Sequence, residues 1–152
     1  MTYAIGVSGI PRTKKTSNQG VVIPGKAGKK PRAIMFPAAE WREWVKVAHI
    51  FINGVTLVAV KKSTPRLVPL ASEPQLWTSL EVPMNCAATF YLGNRQHGDL
   101  LGYLQGLADL LAERQVIAND RYLARFDACR LVHDGSTPRV ELLLSPLPLE
   151  LE

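Results

Sequence analysis

Residues 82–111, VPMNCAATFYLGNRQHGDLLGYLQGLADLL, change their hydrophobic period half-way along. From Val82 to Leu92 apolar side chains fall on alternate positions, Met84, Cys86, Ala88, Phe90 and Leu92, as one face of a half-buried strand requires. The polar run GNRQHGD then leads into residues 99–113, where apolar residues recur at helical spacing. Leu100, Tyr103, Leu107 and Leu110 form one stripe, and Leu101, Leu104, Ala108 and Leu111 a second beside it. A strand followed by an amphipathic helix points to an α+β architecture. Two adjoining stripes are wider than packing on a sheet requires, so one is expected to face the sheet and the other a second subunit. Gly102 and Gly106 cost about 1 kcal/mol each in a helix interior. They predict another backbone passing close by, again consistent with a dimer seam.

Residues 3–9 predict a first strand. Val21–Ile23 and Ala33–Phe36 flank the turn PGKAGKKPR and predict a hairpin with Lys26, Lys29, Lys30 and Arg32 at its tip. A helix is expected from Pro37, with Trp41, Trp44, Val45, Ala48 and Ile52 on its apolar side and Asn53-Gly54 as its stop. The tryptophans are expected to pin that helix to the sheet. Residues 55–80 read as an insertion in which VTLVAV could be a strand and Pro65, Pro69 and Pro74 mark loop. Tyr122–Val132 and VELLLS predict two closing strands, and 145–152 a loose tail. The expected order is strand, hairpin, helix, strand, helix, strand, strand, in a single domain with a mixed sheet and two main helices packed on it.

At 152 residues, 47% of them hydrophobic, the chain is long enough for one real core. No run approaches the ~20 apolar residues of a membrane span, and the N-terminus lacks the order of a signal peptide, so no membrane partner and a cytoplasmic location are expected. Cys86 and Cys129 form no C-x-x-C and read as reduced thiols packed in strands. His49, His97 and His133 have no zinc spacing. Charge is divided unevenly. Residues 1–66 hold 12 Lys/Arg against 2 Asp/Glu, and residues 67–152 hold 6 against 11. A basic half joined to an acidic half fits a protein that grips a polyanion and keeps carboxylates for another task.

Asp99 admits two readings. It stands where an N-terminal cap would, the reading that periodicity by itself favours, and it could instead help to hold a metal ion. Asp120, in A-N-D-R, is readable as a turn aspartate.

The motif G-I-P-R-T-K-K-T-S (residues 9–17), the basic hairpin, F-P-A-A-E-W-R-E-W (36–44), D-L at Asp99, D-L-L at Asp109 and N-D at 119–120 follow one another in an order that resembles the RusA family of Holliday junction resolvases. The similarity covers most of residues 3–144, with 55–80 extra. It implies a homodimeric α+β protein that cuts four-way or branched DNA using Mg²⁺, with Mn²⁺ able to substitute. The family's helix begins D-x-D-N-x-x-x-K and is followed by a D-D pair. Asp99 matches the first aspartate, Asp120 the second of the pair, and Asp109 an aspartate within the helix. Leu101, Gly102 and Asn119 stand in place of the other aspartates and the asparagine, and Gln105 and Gly106 occupy the neighbourhood of the lysine. The resemblance thus implies Asp99 and Asp120 as catalytic metal ligands and Asp109 as a weaker one, while the clustered charges of the basic half offer Arg12, Lys14, Lys15, Lys26, Lys29, Lys30 and Arg32 as phosphate contacts. The departures favour, as the alternative, a catalytically inactive protein that kept the fold and binds junction or other structured DNA.

Overall fold

The computed structural model describes residues 1–13, 19–36, 39–58, 65–68, 75–133, 135 and 137–148. The helix start at Pro37 and the prolines at 69 and 74 lie outside them.

Strand β8 (Met84–Leu92) is the spine of a mixed nine-stranded sheet. Strands β1 (Tyr3–Ser8), β4 (Ile50–Ile52), β5 (Val55–Val58), β6 (Arg66–Val68), β7 (Gln75–Leu76), β10 (Arg130–His133) and β11 (Arg139–Pro146) join it in the order β10-β8-β11-β1-β4-β5-β6-β7. Strand β9 (Leu123–Phe126) also pairs with β8, parallel, from Met84↔Leu123. The expected alternation in β8 is realised residue by residue: Met84, Cys86, Ala88, Phe90 and Leu92 are all buried. They meet Ile5, Val7, Ile50, Ile52, Val140, Leu142 and Leu144 in one core. Each such side chain contributes about 1.5–3 kcal/mol on burial. The hairpin of β2 (Gln19–Ile23) and β3 (Arg32–Phe36) is a separate antiparallel pair, as expected.

Helices α1 (Ala39–Val47) and α2 (Leu100–Glu113) supply the rest of the core. Trp41 and Trp44 are buried, as the sequence led us to expect, but they reach different neighbours. Trp41 Nε1 donates to the Gly106 carbonyl in α2, and Trp44 Nε1 to the Ser8 carbonyl at the end of β1. The first tryptophan therefore joins helix to helix and the second joins helix to sheet.

Several expectations are corrected. Helix α1 ends at Val47, well short of Asn53. Arg114 donates to the carbonyls of Val45 (2.8 and 3.1 Å) and Ala48 (2.8 Å), satisfying the orphan acceptors of a helix end. Asn53-Gly54 is instead the two-residue loop between β4 and β5, with φ of 50° and 80°. That matches the Asn-Gly hairpin signature, with Ile52 opposite Val55. The described part of residues 55–80 bears out a strand in VTLVAV, as β5, and adds β6 and β7, which extend the same sheet. The single strand expected over 122–132 is two, because Ala128 takes a left-handed φ of 54° and breaks the ladder. Residues 145 and 146 belong to β11, opposite Asn85 and Met84, and are no loose tail.

The two stripes of α2 are also resolved differently. Both stripes are largely buried within this chain, Leu104 and Leu111 as well as Tyr103, Leu107 and Leu110, and of the large hydrophobic residues on α2 Leu101 alone is strongly exposed, at 78%. A backbone does pass close to the helix glycines, but it is the chain's own. A Cβ at Gly106 would collide with the Arg12 carbonyl oxygen, and one at Gly102 would lie 3.0 Å from Thr13 Cγ2. Gly102 and Gly106 thus form a slot that seats residues 12 and 13.

Candidate functional site

Asp99 is the N-cap of α2. Its backbone is extended (φ −94°, ψ 151°), and Oδ1 accepts a 2.6 Å hydrogen bond from the Gly102 amide. A cap of this kind contributes about 1 kcal/mol, and the charge favours the positive helix end. Around it, Tyr103 is buried and its hydroxyl donates to the His97 carbonyl at 3.1 Å. Burial is the main cause that raises the Tyr103 pKa above its ordinary value. Gln96 Nε2 donates to the Pro11 carbonyl, tying the loop before α2 to the segment that ends in Arg12 and Thr13. Arg12, half-buried, is therefore brought beside the first half of α2.

Asp120 opens a short 3-10 turn, Asp120–Tyr122, and is exposed. Its neighbour Asn119 is that turn's cap, accepting from the Arg121 amide at 3.1 Å. Asn119 thus has a local structural use.

Asp99 and Asp120 do not meet within one chain. Strand β8, helix α2 and strand β9 form a crossover between parallel strands, in which the helix runs back against the strand direction. Tyr103, near the start of α2, packs on Phe90 near the end of β8, with ring centroids 5.5 Å apart. Past the other end of the helix, Ile117 bridges to Leu80, and Leu123 pairs with Met84 at the beginning of β8. With a rise of about 1.5 Å per residue, α2 is roughly 20 Å long, and these contacts put Asp99 and Asp120 towards its opposite ends. A Mg²⁺ ion shared by both requires oxygens within about 4–5 Å, since each Mg–O distance is near 2.1 Å. The residues present do not fit an Asp99–Asp120 ion site in a single chain. Asp109 does not complete one with Asp99 either: it is half-buried ten residues further along α2, about 15 Å along the axis. Among the described residues no group of three or more His, Cys, Asp or Glu is arranged to hold a metal ion.

The basic hairpin is built as expected. Lys26, Lys29 and Lys30 are exposed around a turn closed by the Lys29 amide donating to the Lys26 carbonyl at 2.8 Å. Gly28 takes a φ of 82°, which favours glycine. A Cβ at Gly25 would collide with the Lys29 carbonyl oxygen, so this turn is sequence-specific as well as charged. Val22 is 67% exposed, so the apolar face of the hairpin is not drawn into the core at that point. Arg32 opposes Ile23 in β3. Lys14 and Lys15 lie outside the described residues.

The structure adds a surface that the sequence reading passed over. Helices cover one face of the sheet, while the other carries a groove of about 990 Å³. Its floor includes Ala4, Gly6, Ala87 and Thr89, with Phe51 on one side and Cys129 and Arg130 on the other. Arg139 lies over the Tyr91 ring, 3.7 Å from the centroid. The signal was available in the outward positions of β8, where Asn85, Ala87, Thr89 and Tyr91 alternate with the core residues. Beside this groove Cys129 Sγ approaches the Cys86 carbonyl at 3.4 Å. Both cysteines are free thiols, Cys86 fully buried. Burial pushes the Cys86 thiol up to about 12. No helix among the described residues is long and apolar enough to cross a membrane.

Compared with models of known protein families and with curated proteins, the chain matches none of them.

Proposed function

We propose that this protein binds branched or four-way-junction DNA, and that it does so without a divalent ion seated between Asp99 and Asp120 of one chain. The observation that carries the reading is the lysine-tipped hairpin. Three ammonium groups, those of Lys26, Lys29 and Lys30, are exposed on one glycine-shaped turn. Ammonium groups on a protruding turn contact phosphates and give affinity without base information, which suits a ligand known by its shape. The excess of basic residues over acidic ones in residues 1–66 adds to it, as does the RusA-like order of motifs. The same resemblance supplies the homodimer, in which two such hairpins would engage a two-fold symmetric junction.

The resemblance also implies hydrolysis, which needs carboxylates on a metal beside the scissile phosphate. The spacing of Asp99 and Asp120 argues against that step at a site within one chain, and on that ground we favour a binding protein. The test is a gel-shift and cleavage experiment with an immobile four-way junction and a linear duplex of equal length. The junction should be bound more tightly than the duplex, with affinity falling steeply as salt rises. Replacing Lys26, Lys29 and Lys30 together by Gln should weaken binding and flatten the log–log salt slope by roughly 3. Neither strand should be nicked with Mg²⁺ or Mn²⁺. Failure of the wild-type protein to bind the junction at low salt would overturn the reading, and metal-dependent nicking would restore the hydrolase.

A further inference from the structure

We infer that the uncovered face of the sheet is a binding platform for unpaired DNA, the single-stranded part of a branched substrate. The inference rests on the DNA-binding reading and extends it to a second surface. Strand pairing sets the geometry. Phe51, Gly6, Glu141, Thr89 and Arg130 stand in one row across β4, β1, β11, β8 and β10. Tyr91 and Arg139 stand opposite one another in a row two residues further along β8. Three inter-strand steps of about 4.8 Å separate the Phe51 strand from the Tyr91 strand, about 14 Å in all. Four-stranded RNA-binding sheets stack two or three bases on their aromatic side chains, and aromatic stacking serves unpaired DNA as well.

The floor suits planar rings because Gly6, Ala4 and Ala87 leave it low. Phe51 is 38% exposed although it stands in the middle of a sheet. Arg139 rests on Tyr91 and is held by Glu141 at 2.7 Å and by the Thr137 carbonyl at 3.1 Å. Its guanidinium is thereby positioned before any ligand arrives, and a base can stack on such a plane. Arg130 Nε is oriented by Thr89 Oγ1 at 3.3 Å. Charge agrees with a polyanion. By strand alternation Arg66, Arg130 and Arg139 share this face, Arg125 is paired with the outward Asn85 through a register shift, and the nearby carboxylates Asp127 and Glu141 are each already paired, with Arg125 and Arg139.

Cys129 lines the groove while Cys86 is buried, so the full chain carries its own reporter. The rate at which a thiol reagent modifies Cys129 should fall at least fivefold in saturating dT12, with a smaller effect in U12. Phe51→Ser and Arg130→Ala should each weaken dT12 binding roughly tenfold, the range for losing one base stack, while binding of a fully paired junction stays within twofold. If dT12 leaves Cys129 modification unchanged while the junction still binds, this inference falls and the hairpin reading stands. If neither ligand binds, both fall. Protection by U12 alone overturns the assignment to DNA. Protection that grows with protein concentration in the absence of nucleic acid assigns the face to a second copy of the chain and overturns the inference.

Discussion

The carbonyl oxygen of Arg12 sits against the bare Cα of Gly106, so closely that α2 has no room there for a side chain. The same glycine accepts the Trp41 indole N–H at 3.2 Å, which makes it the point where the basic N-terminal segment, α1 and α2 meet. Helix propensity alone would favour alanine by about 1 kcal/mol. Overpacking against a fixed main chain costs about 1–3 kcal/mol, and here the obstacle is backbone rather than a flexible side chain. Gly106→Ala is therefore expected to lower stability, seen as an earlier urea midpoint with an unchanged slope. It should also weaken junction binding, because it displaces the segment that leads directly to Lys14 and Lys15.

Asp99 and Asp120 separate a cap from a cation ligand by substitution. Asp99→Ala should destabilise by about 1 kcal/mol, Asp99→Ser should restore most of that loss, and Asp120→Ala should change little. Thermal unfolding with and without 10-fold excess Mg²⁺ provides the control. No shift is expected for the wild type, and a shift that vanished in both variants would show the two carboxylates meeting in an assembly.

Arg114 closes the end of α1 with bonds to Val45, Lys46 and Ala48. Hydrogen bonds to a charged group are worth about 1.5–3 kcal/mol, and removing the donor leaves several carbonyls without it. Arg114→Ala should cost about 2–3 kcal/mol in chemical denaturation. Arg114→Lys should recover only part, since a single ammonium cannot fork between Val45 and Ala48 as a guanidinium does.

Cys86 gives the stability a definite pH dependence. Its pKa in the folded chain is raised from 9.0 to about 12 by burial, with the neighbouring Cys129 adding to it. Below pH 9 the thiol is protonated whether the chain is folded or unfolded, and it contributes no slope. Between 9 and 12 the unfolded chain gives up this proton while the folded chain retains it, so stability falls as pH rises. Three units correspond to a loss on the order of 4 kcal/mol by pH 12. Tyr103, also raised, adds to the loss above pH 10. Urea titrations from pH 8 to 11 should show this decline, and Cys86→Ala should flatten it.

Strand β8 and helix α2 were readable from the chain because each carries one undisturbed period, and the tip of the basic hairpin was readable from its glycines and lysines. Asn53-Gly54 was legible in principle, but the tryptophan spacing before it suggested a longer helix. What ends that helix is Arg114, some 66 residues from Ala48 in sequence. The break at Ala128 carries no local signal, since alanine is not a left-handed residue by preference. The separation of Asp99 from Asp120 depends on one fact that spacing does not encode, the direction in which β9 pairs with β8. A parallel pairing sends the two ends of the intervening helix to opposite ends of the strands. The slot at Gly102 and Gly106 was legible as a close backbone approach, yet only the fold reveals whose backbone fills it.

The rims of the nine-stranded sheet carry a consequence for how the protein behaves when concentrated. At one rim β7 offers two residues, and at the other β9 and β10 share β8, with a register shift in the β8–β9 ladder between Met84 and Asn85. Neither is a long straight template on which another chain could add its own strand and propagate. The described sheet thus resists edge-to-edge polymerisation into fibrils, a protection obtained from shape rather than from charge.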